Sequence, residues 1–227
     1  MIAKAVLFDM DGTLVDSEAL HYETLAAAVE DFGYGVPDGF ADRITGMTIA
    51  DCHAALVQEA GFRPTLAQLV DAKYRRYAER ASKLLLRNGT REALAALAGT
   101  GAKMAIVSNS DRIIVDVNLR AVGLQAPGLV SVSRNDVRSG KPHPEPYLRA
   151  AWLLDVEPSD CVVVEDSAPG ARAGLAAGMA VIGWPEPHRI DIEFPAGVIP
   201  ADPLDLAAAL GRFLPDSIQT ASISRTA

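Results

Sequence analysis

The distribution of apolar and polar positions divides the chain into two kinds of segment. Short continuous apolar runs are typical of strands that are covered on both faces of a parallel sheet. Such runs occur at 5–8, 104–107, 162–164 and 180–183, and a similar run at 129–132 is interrupted only by Ser131. Segments with apolar residues at helical spacing alternate with them, at 91–97, 112–122, 146–154, 170–177 and 204–214. The alternation predicts an α/β fold, a doubly wound parallel sheet with helices on both faces.

This alternation is interrupted after the first strand. Between residues 17 and 85 every pattern is helical, with helices predicted at 18–32, 40–44, 48–61 and 66–84. Ser17 is a candidate N-cap for the first of these helices. The last is expected to present an exposed basic face, formed by Lys73, Arg75, Arg76 and Arg80. We therefore expect an all-helical cap domain, 17–85, inserted into an α/β core formed by 1–16 and 86–227.

The composition limits the partners of the protein. The chain has 227 residues, a net charge of −8 and a pI near 5.0, which argue against nucleic-acid or membrane-surface partners. The sequence shows neither a secretory signal nor an apolar run long enough to span a bilayer. Cys52 and Cys161 then predict reduced thiols in a cytoplasmic protein. The tail from 216 is expected to be loose, and the oligomeric state stays open, with a monomer compatible.

Polar residues follow four of the predicted strands. The carboxyl ends of parallel strands meet at one edge of a sheet, so these residues are expected to converge. Individually they have ordinary explanations: a helix N-cap for Ser108, a solvated loop lysine for Lys141, a helix cap for Glu165 and Asp166. The agreement of four strand ends favours a binding or catalytic site. The residues are Asp9, Asp11, Gly12 and Thr13 after the first strand, Ser108 and Asn109 after the second, Lys141 after the third, and Glu165 and Asp166 at the fourth.

The first of these strand ends carries a recognisable motif. The stretch Asp9-x-Asp11-Gly12-Thr13-x-Val15-Asp16-Ser17-Glu18 resembles the first motif of the haloacid dehalogenase superfamily. It is most similar to the branch that contains β-phosphoglucomutase and small sugar-phosphate phosphatases. The other three strand ends resemble the later motifs of that superfamily, in the same order.

The resemblance implies a Mg²⁺-dependent phosphatase that acts on small phosphorylated metabolites. Asp9 would be the nucleophile and form an aspartyl-phosphate, while Asp11 would protonate the leaving oxygen and later activate water. Ser108 and Asn109 would donate hydrogen bonds to the phosphoryl group, beside Gly12 and Thr13. Lys141 would neutralise the phosphate together with Asp9.

The implied metal ligands are all oxygen atoms, which suits Mg²⁺. They are the Asp9 carboxylate, the Asp11 backbone carbonyl and the Asp166 carboxylate, with Glu165 binding either directly or through water. The four histidines are scattered and lack zinc-site spacing.

The predicted cap contributes candidate substrate contacts. His21 matches a histidine of β-phosphoglucomutase, although a half-buried helix histidine explains it equally well. The stretch Gly46-Met47-Thr48 resembles the specificity loop of the family, and Arg112 is either a substrate contact or a helix-surface residue.

Two other functions remain open. One is a β-phosphoglucomutase-type phosphomutase, and the other is a catalytically silent binding module. The mutase carries an arginine just after the cap loop, where this chain has Ile49, and isoleucine cannot bind a second phosphate. Arg43 is a possible substitute. The sequence therefore favours water as the final phosphoryl acceptor.

Overall fold

The computed structural model describes residues 2–44, 47–189 and 192–214. Its strands are β1 (Ala5–Phe8), β2 (Val15–Asp16), β3 (Leu85–Leu86), β4 (Lys103–Val107), β5 (Val130–Val132), β6 (Cys161–Glu165), β7 (Ala180–Gly183) and β8 (Ile199–Pro200). Its α-helices are α1 (Glu18–Asp31), α2 (Phe40–Arg43), α3 (Ile49–Ala60), α4 (Leu66–Arg80), α5 (Thr90–Leu97), α6 (Arg112–Ala121), α7 (Glu145–Leu154), α8 (Ala168–Ala176) and α9 (Leu206–Gly211). The predictions for Gly46 and for the tail from 216 concern residues outside the described ranges.

Six strands form one parallel sheet in the order β5-β4-β1-β6-β7-β8. The first strand of the chain is central, and Phe8 pairs with both Ile106 and Val164. This register brings the ends of β1, β4 and β6 level with one another. The predicted α/β fold class is confirmed. The two-residue strands β2, β3 and β8 were not predicted, because two residues are too few to produce a period.

The side chains of β1 alternate between two apolar clusters, one on each face of the sheet. Val6 and Phe8 belong to the cluster that contains residues of α5, α6 and α9, while Ala5 and Leu7 belong to the cluster under α7 and α8. All four are fully buried. Burial on both faces explains why β1 is a continuous apolar run, and it holds the end of the strand rigidly.

Helices α1–α4 pack around an apolar cluster of their own, which includes Leu25, Val29, Phe40, Leu56 and Leu69. The chain enters and leaves this helical block through the antiparallel pair of β2 and β3, in which Asp16 lies opposite Leu85. The proposed domain boundaries, 16–17 and 85–86, fall within that pair. In the described part of the chain, no helix combines the length and the apolar character needed to cross a membrane.

Arg87 fastens the returning connection to the core. Its buried guanidinium donates hydrogen bonds to the carbonyl oxygens of Gly12 (2.9 Å), Trp184 (2.7 Å) and Pro185, and stacks 3.6 Å from the ring centroid of Trp184. Its backbone N–H donates to the carbonyl of Leu14. One cation therefore joins the turn after β1 to the end of β7, where unsatisfied carbonyl groups would otherwise be costly.

Candidate active site

The site lies at the carboxyl edge of the sheet, beneath the helical block. Asp9 directly follows β1, Ser108 follows β4, and Asp166 follows β6, whose last residue is Glu165. The residues of this edge line a cavity of about 60 Å³, which the cap closes from above. The cavity is lined from the core by Asp9, Asp11, Ser108, Asn109, Lys141 and Asp166, and from the cap by His21, Leu25, Ile44, Met47, Ile49 and Lys73. All four strand ends that the sequence singled out therefore converge.

Lys141 connects the carboxylates of the cavity floor. Its ammonium donates to the Asp9 carboxylate, to Glu165 Oε1 at 2.6 Å and to the Val107 carbonyl at 2.8 Å. Burial opposes its charge, but Asp9 and Glu165 outweigh that cost and hold the pKa of Lys141 above its ordinary value. Lys141 is 9% exposed, so it is not a solvated loop lysine.

Asp9 lies among more negative charge than Lys141 can neutralise. Burial, with further contributions from Glu165 and Asp11, raises the pKa of Asp9 to about 8 although Lys141 opposes the rise. Burial and the neighbouring Asp9 and Glu165 likewise raise the pKa of Asp166 well above its usual range. The floor of the cavity is thus a place where a further positive charge would be stabilised.

The arrangement suits a divalent cation. Asp9, Glu165 and Asp166 are buried, and each offers a carboxylate oxygen within 4.8 Å of the others. An all-oxygen ligand set with excess negative charge is the chemistry that Mg²⁺ prefers.

Glu165 is held by its surroundings more tightly than the other two carboxylates. Oε1 accepts hydrogen bonds from Lys141 and from the Tyr147 hydroxyl at 2.6 Å, and Oε2 accepts one from the Ser167 hydroxyl at 2.9 Å. A Cβ at Gly170 would overlap this carboxylate, so α8 can approach only because glycine stands there. With both oxygens engaged, Glu165 is better suited to reach a metal through water than directly.

Two residues of the turn after β1 support Asp166. The Thr13 hydroxyl donates to Asp166 Oδ1 at 3.0 Å. Gly12 has a φ of 75°, and a Cβ there would overlap the Asp166 carboxylate. Gly12 and Thr13 were predicted to bind phosphate; in the structure the Thr13 hydroxyl donates to the carboxylate of Asp166, and Gly12 leaves room for that carboxylate.

Asp11 points into a separate group of hydrogen-bond donors, although it is only two residues from Asp9. Its Oδ2 accepts from Ser108 (3.1 Å) and Ser110 (2.8 Å). Its Oδ1 accepts from Ser17 (2.7 Å), His21 Nε2 (3.0 Å) and Asn118 Nδ2 (2.9 Å). Burial alone would raise the pKa of Asp11, but the interactions with His21, Ser17 and Ser110 outweigh burial and hold that pKa well below its ordinary value.

His21 is buried and joins Asp11 to the cap. Its Nε2 can only donate to a carboxylate, so Nδ1 is the acceptor, and Lys73 Nζ lies 3.2 Å from it. Burial and the charge of Lys73 lower the pKa of His21. A neutral imidazole fits both contacts.

One sequence-based expectation about these residues is wrong, and a second is confirmed in position but not in its hydrogen bond. Lys73 was assigned to an exposed basic face, but it is only 7% exposed and its ammonium points into the cavity. The face of α4 that carries Lys73 packs over the core, which the spacing of basic residues could not indicate. Ser17 does stand at the N-cap of α1, but its hydroxyl makes no capping bond and donates to Asp11.

Asn109 supports the Lys141 loop. Its side-chain oxygen accepts from the backbone N–H of Lys141 at 2.8 Å, and its side-chain nitrogen donates to the carbonyl of Lys141 at 3.2 Å. A Cβ at Gly140 would lie 2.6 Å from Asn109 Oδ1, so the loop approaches this closely only with glycine. The structure therefore gives Asn109 a clear structural task beside the predicted contact with phosphate.

A larger groove of about 420 Å³ opens from the cavity and is also lined by Met47, Thr48 and Ile49. Thr48 caps α3 in a reciprocal arrangement with Asp51. Arg43 does not line this groove. It makes a bidentate ion pair with Glu59 at 2.7 and 2.8 Å. Arg112 donates to Ser131 and Asp136, in agreement with the helix-surface interpretation.

Sequence reasoning missed Asn118 and Tyr77. Both are fully buried, and the Tyr77 hydroxyl of α4 donates to Asn118 Oδ1 at 2.9 Å. One signal was available, because Asn118 is a polar residue on the face of α6 that carries Ile114, Val115 and Leu119. A buried amide requires a partner, but the pattern does not identify which one.

Comparisons with known proteins agree with the motif and the fold. The model of the haloacid dehalogenase-like hydrolase family matches residues 6–184. A phosphorylated carbohydrates phosphatase of Thermotoga maritima is 31% identical over 177 residues, which cover 78% of this chain and 82% of that protein. A phosphoglycolate phosphatase of Cupriavidus necator is 32% identical over 181 residues, covering 78% of each.

A solved structure extends the likeness to almost the whole chain. CbbY from Rhodobacter sphaeroides, in complex with phosphate, superposes with a TM-score of 0.81 at 27% identity, covering 93% of this chain and 97% of that chain. The family model spans most of the sequence. The four motifs of the sequence lie together at one edge of the sheet, and the fold matches that of the solved structure. On these grounds the chain belongs to the haloacid dehalogenase-like hydrolase family.

Proposed function

We propose that the protein is a Mg²⁺-dependent phosphatase that hydrolyses small phosphorylated metabolites through an aspartyl-phosphate on Asp9. The observation that carries this proposal is the buried group of Asp9, Lys141, Glu165 and Asp166 at the sheet edge. In this group the carboxylate that we propose as the nucleophile lies beside a fixed cation and a candidate metal site. The phosphatase names of two relatives support the reaction class.

A carboxylate that attacks a phosphate must overcome charge repulsion. Two unit charges 4 Å apart repel by about 4 kcal/mol at an effective dielectric constant of 20. Lys141 already donates to Asp9 and is positioned to share its hydrogen bonds with a phosphoryl oxygen. When Mg²⁺ is bound by Asp9 and Asp166, with Glu165 contributing through water, it supplies the remaining positive charge.

Asp11 is the proposed proton carrier. It lines the same cavity as Asp9, so it can reach the leaving oxygen. Its five hydrogen bonds stabilise the ionised carboxylate, so it must give up some of them to take up a proton from solvent, which it would then deliver to the leaving oxygen. Ser108 also lines the cavity, and its hydroxyl would donate to the phosphoryl group once its hydrogen bond to Asp11 is released.

The cap completes the proposed reaction site. Leu25, Ile44 and Met47 contribute apolar surface over the cavity, which would exclude bulk water while Asp9 attacks. The phosphoryl group would occupy the inner cavity and the rest of the metabolite the larger groove. The buried free thiols of Cys52 and Cys161 are consistent with the cytoplasm as the proposed location.

The phosphomutase remains the second candidate, and Arg134 is the observation that favours it. This arginine lines the groove, and its guanidinium donates to the carbonyls of Val137 and Arg138. Within the described residues, it forms no ion pair with a carboxylate. Against the mutase, Arg43 is engaged with Glu59 and Ile49 is apolar. We therefore propose that water is the final phosphoryl acceptor.

One assay decides between the two candidates. The protein is incubated with β-glucose 1-phosphate and catalytic β-glucose 1,6-bisphosphate. Glucose 6-phosphate is followed through its dehydrogenase, and inorganic phosphate is measured in parallel. We expect phosphate release to exceed isomerisation, and isomerisation that is faster than phosphate release would establish the mutase. Arg134→Gln, tested in the same assay, should affect turnover only if a second anionic group of the substrate binds in the groove.

A further inference from the structure

Asn118 is a buried polar side chain that the proposed reaction does not use. It lies in the middle of α6, is fully buried, and has apolar neighbours on its helix face. An unpaired buried amide is costly, so its two contacts are required for stability. They are with Asp11 on one side and Tyr77 on the other.

These two contacts fix the orientation of the amide. An ionised carboxylate can only accept, so Nδ2 must face Asp11 Oδ1, at 2.9 Å. The amide oxygen then faces Tyr77, whose hydroxyl donates to it at 2.9 Å. The opposite orientation would place the amide oxygen against the Asp11 carboxylate. Asp11 thus determines which side of Asn118 faces it, and the Tyr77 hydroxyl satisfies the other side.

We propose that Asn118 is a positioning residue for Asp11, and that Tyr77 supports it by donating a hydrogen bond to the Asn118 amide oxygen. The chain of contacts runs from α4 of the cap, through α6 of the core, to Asp11. Asn118 thereby sets where the carboxylate lies relative to the leaving oxygen of the substrate. This inference rests on the proposed phosphatase function, in which Asp11 transfers the proton.

The leaving group of the substrate provides the test. Benzyl phosphate releases a poor leaving group that needs a proton, phenyl phosphate an intermediate one, and p-nitrophenyl phosphate a good one that departs without help. The value of kcat/KM reports the step in which the leaving group departs. It is measured for the three esters with the wild-type protein, Asn118→Leu and Tyr77→Phe.

The control is Thr24→Val, which also removes a buried hydroxyl from the cap. Thr24 is fully buried, and its hydroxyl donates to the backbone carbonyls of Leu20 and His21 but not to Asp11.

We expect Asn118→Leu to lower kcat/KM for benzyl phosphate at least tenfold more than for p-nitrophenyl phosphate. Tyr77→Phe keeps the ring and loses only the hydroxyl. It should also lower kcat/KM more for benzyl phosphate than for p-nitrophenyl phosphate, but by a smaller factor than Asn118→Leu. Thr24→Val should change all three esters equally or not at all. Equal losses on all three esters in both test variants would show that Asn118 is merely structural and would overturn the proposal. If Asn118→Leu does not fold, Tyr77→Phe alone decides.

A second measurement is independent of turnover. The side-chain NH₂ protons of Asn118 should be protected from solvent exchange in the wild-type protein and less protected in Tyr77→Phe. Rapid exchange in the wild-type protein would overturn the positioning role whatever the activity. A wild-type protein that releases no phosphate from the three esters, but protects these protons, would instead contradict the proposed function.

Discussion

Asp9 and Asp11 are two residues apart and both buried, yet their surroundings are opposite. Asp9 faces the carboxylates of Glu165 and Asp166, with Lys141 as the cation between them, and its pKa rises to about 8. Asp11 faces five hydrogen-bond donors, and its pKa falls well below the usual value. Burial raises the pKa in both cases, so the neighbours decide the difference. Environment, rather than residue type, separates the proposed nucleophile from the proposed proton carrier.

The contrast arises because β1 ends just before Asp9 and the chain turns before it reaches Asp11. Asp9 continues β1 toward Lys141 and the end of β6, where the candidate cation site lies. Asp11 follows in the turn, where it meets the first turn of α1 and the helix face of α6. An added cation would stabilise the surroundings of Asp9, whereas the Asp11 carboxylate already has hydrogen-bond partners for both of its oxygens. The following predictions, in order of decreasing expected effect, test this comparison.

Asp9→Asn should lower kcat to below about one per cent of the wild-type value, a loss of about 3 kcal/mol or more in transition-state stabilisation. The amide is nearly the same size but is a poor nucleophile. The control is Asp16→Asn, the same change at an exposed position on β2. Activity is measured as phosphate release from p-nitrophenyl phosphate. An Asp9→Asn protein with several per cent of wild-type kcat would exclude Asp9 as the nucleophile.

Removal of divalent cations with EDTA should abolish turnover, and Mg²⁺ should restore it, whereas Ca²⁺ should inhibit because it prefers longer bonds and more ligands. Independently of activity, Mg²⁺ at about 100 times its Kd should stabilise the folded protein by about 2.7 kcal/mol. Denaturation with and without Mg²⁺ measures this gain. Asp166→Ala should require more Mg²⁺ for both effects, and an unchanged titration would remove Asp166 from the metal site.

In metal-free buffer, Asp11→Asn should lower the free energy of unfolding, whereas Asp9→Asn should not. Asp11→Asn replaces an acceptor of charged hydrogen bonds and should lower the free energy of unfolding by about 2 kcal/mol. Asp9→Asn removes a carboxyl group whose ionisation is opposed by burial, Glu165 and Asp11, and it should leave the stability unchanged or raise it. Urea denaturation in EDTA measures both. Equal destabilisation by the two changes would contradict the electrostatic contrast.

The smallest effect is expected at Glu145, which supports the loop before Lys141. The backbone N–H groups of Arg138 and Ser139 lower the pKa of Glu145. At a pH between the lowered pKa of Glu145 in the folded protein and its ordinary value of about 4.5, the unfolded chain binds more protons than the folded protein. The stabilisation is therefore complete above the ordinary pKa and is lost as the pH falls through the folded one. Glu145→Gln should lower Tm at pH 7 more than at pH 3, and a pH-independent difference would disprove the linkage.

The sequence predicts the part of the site that depends on strands. Asp9, Ser108 and Asp166 follow continuous apolar runs, and the parallel sheet places their strand ends together. The surroundings of Asp11 depend instead on how helices of the cap pack over the core. Helical spacing assigns Lys73 and Asn118 to a face of a helix, but it does not say which element covers that face. For this reason Lys73 was placed in solvent, and the contact of Asn118 with Asp11 was not foreseen.

The pairing of Asp16 with Leu85 has a consequence for the modularity of the molecule. The two ends of the helical insert lie within one strand spacing, roughly 5 Å, of each other. Along the chain, none of the six strands of the main sheet lies between Asp16 and Leu85. A short turn could therefore replace the insert without changing any strand pairing of the core. The same junction could accept the helical insert of a relative, which would exchange the cap residues that line the cavity and leave the core carboxylates Asp9, Glu165 and Asp166 in place.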